Sequence, residues 1–144
     1  MYLDSAYIAK YYLNEPDCEP VRRLIHDADS LVSSEWSIIE VGCAFHRHFR
    51  QGGLTSAQYK DLLRALRKHM DEGLWTLVPL DRRLVRRVNA AMDTLPPDLI
   101  LRSGDVLQLV CAQDSGEREV WTSDRHVLAA AHHFGLTARS VGRL

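Results

Sequence analysis

The chain has 144 residues, 46% of them hydrophobic and 26% charged, with a formal net charge of -1. That size suits one domain whose core buries roughly two thirds of the unfolded surface, and the composition excludes an intrinsically disordered chain. No apolar run approaches the ~20 residues of a membrane helix, and the near-neutral charge gives no global pull toward a polyanion, so affinity for nucleic acid has to come from local basic patches or bound metal. Three cysteines, Cys18, Cys43 and Cys111, form no C-x-x-C pair. An odd, widely spaced set argues against a disulfide framework or a zinc knuckle, and the thiols are expected to be reduced and mostly buried. The amino terminus opens in MYLDSAYIAKYYL, without a basic n-region or a cleavage site, so the cytoplasm is the expected location.

In chain order, Met1 to Leu3 reads as a brief strand and Ser5 to Leu13 as a helix, with Ile8, Tyr11 and Tyr12 at helical spacing. Asn14-Glu15-Pro16 breaks it. A second helix is predicted from about Glu19 to Ala28, then a strand from Ser30 to Ser33. Ser34 is a plausible cap for a helix from Glu35 to Arg50, whose stripe is Ile38, Val41, Phe45 and Phe49; Gly52-Gly53 ends it. Thr55, with Gln58 three residues on, makes a capping box for a helix to about Asp71. Leu74 to Val78 is the third strand, and Asp81 caps a charged helix to about Met92. After the loop Leu95-Pro96-Pro97-Asp98, Ser103 to Gln113 is helical and apolar on nearly all sides, which predicts burial. Glu119 to Trp121 is a fourth strand, Arg125 to Phe134 a helix, and Leu136 to Ala138 an edge strand. Strands alternating with helices predict an α/β fold with a parallel sheet covered on both faces.

Four acids, Asp4, Glu40, Asp105 and Asp124, sit at strand-to-helix junctions or in the first two turns of helices. Singly, Asp4 and Asp124 are explained as N-caps, each worth about 1 kcal/mol. Asp105, in a first turn, is explained by the helix dipole at about 0.3 to 1 kcal/mol. Glu40 has no such explanation, because Trp36, Ser37, Cys43 and Ala44 at three and four residues either side include no charge partner. In an open parallel sheet the carboxyl ends of the strands face one crevice, where the four acids can meet. Converging carboxylates stay ionised only when neutralised, and Mg²⁺ or Mn²⁺ is the matching ion. The usual chemistry of an all-carboxylate site is metal-assisted displacement at phosphorus, pointing to a nuclease or phosphatase.

The segments YLDSAYIAKYYLNEP, SSEWSIIEVGCAFHR, LRSGDVLQLVCAQDSG and VWTSDRHVLAAAHHFGL together resemble the PIN-domain family, and within it the VapC-type toxin ribonucleases, in family order over nearly the whole chain. The resemblance implies a single PIN-like domain over residues 1–144, a three-layer α/β/α fold with a central parallel sheet of four or five strands. It implies Asp4, Glu40, Asp105 and Asp124 as catalytic metal ligands for Mg²⁺ or Mn²⁺, with Ser5 and Thr122 or Ser123 holding waters or orienting carboxylates. RNA as substrate, a VapB-type antitoxin as partner, a homodimer contact on the early helices and the role of toxin in a type II toxin-antitoxin system follow from the same resemblance. Ala6 stands where many relatives carry a second hydroxyl, and LVCAQ replaces the small-residue pattern often found after the third acid.

Other features keep two readings. Arg82, Arg83, Arg86 and Arg87 make a basic helix surface that is either a solvated face or a contact for phosphates. Arg102 and Arg125, near proposed ligands, either clamp the scissile phosphate or pair with carboxylates. Cys43, His46 and His48 do not suit zinc, because positions 46 and 48 point to different sides of a helix. His132 and His133 fit the negative pole of the last helix. Trp36, Tyr7, Tyr11 and Tyr12 fit packing better than base stacking. Two rival functions accompany the nuclease: a catalytically inert PIN-like interaction module, and a phosphatase or receiver-like domain using Asp4, disfavoured because the Asp expected two residues later is Ala6.

Overall fold

Residues 1–141 are described by the structure, a computed structural model. The elements are β1 (Tyr2–Leu3), α1 (Ser5–Tyr12), α2 (Cys18–His26), β2 (Val32–Ser34), α3 (Glu35–Arg50), α4 (Ser56–Asp71), β3 (Thr76–Val78), α5 (Arg82–Met92), α6 (Ser103–Asp114), β4 (Glu119–Trp121), α7 (Arg125–Ala130), a 3-10 turn (Ala131–Phe134) and β5 (Thr137–Arg139). Each strand pairs parallel to its neighbour in the order β3-β2-β1-β4-β5. Helical crossovers are what parallel pairing requires. The chain winds outward one way from β1 through β2 to β3, and the other way from β4 to β5. The reversal falls between β1 and β4, and ligands of open α/β sheets bind outside the carboxyl ends of the strands at such a point.

Alternation along β1 sets the layers, because successive strand side chains point to opposite faces. Tyr2 is buried with Leu84 of α5, Val106 and Leu109 of α6 and Val127 of α7. Leu3 is buried on the other face with Tyr7 and Ile8 of α1, Val21 and Ile25 of α2, Val41 and Phe45 of α3, and Leu66 of α4. Each such side chain contributes about 1.5–3 kcal/mol when taken out of water. The result is the expected three-layer α/β/α arrangement, with five strands.

The predicted caps form. Ser34 Oγ accepts from the Ser37 amide at 3.1 Å, Asp81 Oδ1 from the Leu84 amide at 2.8 Å, and Thr55 and Gln58 complete their box at 3.2 and 2.8 Å. The last helix differs from its prediction: it tightens into the 3-10 turn after Ala130 and closes at Gly135, whose φ of 68° is left-handed. The amides of Gly135 and Leu136 bond to the carbonyls of His132 and Ala131, both at 3.0 Å. These bonds satisfy the orphan carbonyls of the helix end. Leu136 is thereby used by the turn, and β5 starts one residue later than predicted. The cysteines also differ: Cys111 is buried, Cys18 is half-buried and Cys43 is exposed, because Cys43 lies on the side of α3 that faces a cleft and not the core. No helix among the described residues is long and apolar enough to cross a membrane.

Candidate active site

The carboxyl end of β1 continues into Asp4, whose amide donates to the Trp121 carbonyl of β4 at 3.1 Å. One carboxylate oxygen of Asp4 caps α1, accepting from the Tyr7 amide at 3.0 Å. The other accepts the hydroxyl hydrogen of Thr122. That hydroxyl also accepts from the Asp124 amide at 2.9 Å, so one buried threonine ties together the turns that carry two of the acids. Asp124 caps α7, accepting at Oδ1 from the amides of His126 at 2.7 Å and Val127 at 3.4 Å. The capping explanation of Asp4 and Asp124 therefore holds, but for one oxygen of each.

Asp105 Oδ2 accepts from the Arg102 amide at 2.8 Å, fixing the first turn of α6. Glu40 projects from α3 without a partner on its own helix; its Oε2 accepts from the side-chain amide of Gln108 at 2.9 Å. All four acids line one cleft of about 580 Å³, together with Ser5, Trp36, Ile39, Cys43, Arg47, Arg102 and Gln108. Among the described residues no cationic nitrogen lies within 4.0 Å of any of the four carboxylates.

Asp4 is the deepest, 5% exposed. Burial pushes its carboxyl up from 3.8 to about 6; bonds from Thr122 and the Tyr7 amide oppose that rise, and the charges of Asp124 and Glu40 add to it. Carboxylate oxygens of this kind are the ligands that hard divalent ions take. No three His, Cys, Asp or Glu side chains among the described residues gather closely enough around one point to hold an ion. The four carboxylates that the sequence reading took as metal ligands therefore share one cleft without forming a close ligand cluster.

The supporting residues divide. Thr122 contacts Asp4, whereas exposed Ser123 accepts from Lys10 Nζ at 3.1 Å and does not line the cleft. Ser5 lines the cleft, as does the exposed Arg102. Neither Arg102 nor Arg125 pairs with a carboxylate among the described residues. All four arginines of α5 are exposed; Arg83 and Arg87 reach Asp114 at 3.9 and 2.7 Å, whereas Arg82 and Arg86 pair with no carboxylate among the described residues. The histidines next to Cys43 are occupied elsewhere: His48 lies 2.7 Å from Glu15, and His46 packs on Tyr59.

Sequence reasoning missed Gln108 and Gly104, and read Trp36, which lines the cleft, as a packing residue. Gln108 reads as a polar interruption of an apolar helix; a side chain of that kind in a segment predicted buried was the available signal. Gly104 lies so close to Glu40 that a Cβ there would stand 3.0 Å from Oε1. Trp36 Nε1 is buried and has no hydrogen-bond partner, and its ring takes part in the cleft wall.

Fold and cleft together define an open parallel α/β protein with a carboxylate-lined crevice at its switch point. The family model described as the PIN domain matches residues 1–132, and the chain belongs to this family. PIN is a nuclease-type fold, and its members are generally metal-dependent nucleases that act on RNA. No curated protein matches the chain.

Proposed function

We propose that the chain is a metal-dependent endoribonuclease, the VapC-type toxin of a type II toxin-antitoxin pair, built as a single PIN-like domain over residues 1–144. The observation that carries the nuclease reading is the set of four carboxylates on one cleft without a paired cation. Asp4, Glu40, Asp105 and Asp124 would hold Mg²⁺ or Mn²⁺. A divalent ion bound there supplies a water of lowered pKa as nucleophile and neutralises charge on the phosphate. Thr122 fixes the rotamer of Asp4, and Ser5 and Ser123 offer hydroxyls to waters near the turn. Arg102 and Arg47, on the cleft wall, suit contacts to the RNA backbone. The toxin role, a VapB-type antitoxin as partner, a homodimer and a cytoplasmic location rest on the motif resemblance.

The test is cleavage of RNA by the purified protein with Mg²⁺ or Mn²⁺, beside Asp4→Asn. Metal-dependent cleavage by the wild type that is lost in the variant is expected; equal cleavage by both sinks the role of Asp4. A thermal melt with and without Mn²⁺ separates the inert interaction module, which predicts no shift. Binding to the native state alone raises Tm, and Asp105→Asn is expected to abolish the rise.

A further inference from the structure

Gln108 is 3% exposed on a helix whose neighbouring positions, Val106, Leu109 and Val110, are buried and apolar. A buried amide needs partners for both ends. Its Oε1 accepts from the Tyr2 hydroxyl at 2.6 Å and the Ser37 hydroxyl at 3.0 Å. Its Nε2 donates to Glu40 Oε2 at 2.9 Å. This orientation lets a carboxylate oxygen accept from the amide N–H while both hydroxyls give their hydrogens to the amide oxygen. Ser37 is held in turn by Ser34 Oγ at 2.9 Å. A strand residue, a helix residue and their hydroxyls therefore lock one amide so that its N–H points at the carboxylate of Glu40. On the other side Gly104 leaves room for Oε1, where a Cβ would stand at 3.0 Å.

We infer that Gln108 is a positioning residue: it sets the orientation of the Glu40 carboxylate toward the cleft and thereby the affinity of the site for a divalent ion. The inference rests on the reading of Glu40 as a metal ligand. Groups that hydrogen-bond a ligating carboxylate fix its geometry, and their loss typically weakens metal binding about 10- to 100-fold. The structural alternative is that Gln108 only satisfies Tyr2 and Ser37 inside the core.

The experiment measures Mn²⁺ affinity of the intact chain by electron paramagnetic resonance of the free ion, with melting temperature alongside, for Gln108→Met, for Tyr2→Phe/Gln108→Met and for Glu40→Gln. The double variant removes the hydroxyl that the single variant strands in the core, so it keeps the fold testable. The expected result is Mn²⁺ binding weakened about 10- to 100-fold in both Gln108 variants, with the double variant melting above the single one. Affinity within twofold of wild type in the double variant, while Glu40→Gln binds weakly, overturns the inference and leaves the ligand reading standing. Wild-type affinity in Glu40→Gln overturns the ligand reading itself, and this inference with it.

Discussion

Two polar networks each include a tyrosine hydroxyl, one half-buried on the α1–α4 side and the other bridging β1, α3 and α6. On the α1–α4 side, Trp75 Nε1 donates to Tyr12 Oη at 3.2 Å, and Tyr12 Oη lies 2.8 Å from His69 Nδ1. The rings of Tyr12 and His69 stack at 5.6 Å, and the chain of bonds ends on the half-buried His69, which does not line the cleft. A second network bridges β1, α3 and α6: Tyr2 and Ser37 donate to Gln108, which donates to Glu40. This second chain ends on a carboxylate in the cleft, where two further acids and the buried Asp4 add like charge. A network whose members satisfy one another adds stability. One that ends on a carboxylate without a paired cation would gain a further partner if a cation bound there.

The sharpest way to break the comparison is pH. Because the Asp4 carboxyl is raised from 3.8 to about 6, chiefly by burial, the folded protein keeps a proton that the unfolded chain has released. Stability of the metal-free protein therefore falls as pH rises from about 4 to about 6, by about 3 kcal/mol in all. Denaturant unfolding across that range should show this fall in wild type and a flatter curve in Asp4→Asn. Parallel curves would mean that the cleft stores no such electrostatic strain. Tyr12→Phe tests the first network: it leaves the Trp75 N–H and His69 without a partner, which costs about 1–3 kcal/mol. Tm should drop by about 2–4 °C for each kcal/mol, with RNA cleavage and Mn²⁺ affinity unchanged. A loss of metal affinity there would erase the distinction between the two networks. The smallest effect on stability is expected for Gly104→Ala. A helical Gly→Ala change gains about 0.5–1 kcal/mol, yet the new Cβ would displace Glu40. Misplacement of this kind reduces turnover by up to ~10²-fold, so the variant should cleave RNA more slowly while melting no lower than wild type.

Much of this was legible residue by residue. Asp4, Ser34, Thr55, Asp81 and Asp124 all cap helices where predicted, since capping joins an oxygen to an amide two or three residues away. Glu40 stood out as an acid without company on its own helix, and its partner proved to be a glutamine 68 positions further along the chain. No local rule connects those positions. The cysteine expectation failed at Cys43 for a related reason: the face of α3 that carries it looks onto the cleft, and helical spacing does not say which flank of an amphipathic helix is covered. The arginines of α5 look alike in sequence, and only the approach of α6 with Asp114 separates those that reach a carboxylate from those that do not.

Sequence alone determined the alternation of strands and helices, their caps and the order of the four acids, because backbone hydrogen bonds and periodic burial act over a few residues. The strand order β3-β2-β1-β4-β5 was decided only in three dimensions, and with it the meeting of Asp4 and Asp124 through Thr122, the opening of the Asp105 helix into the same cleft, and the clamp of Gln108 on Glu40. Those contacts arise where two faces of one sheet bury their apolar sides at once, and the polar groups left at the strand ends can then satisfy one another only across the fold.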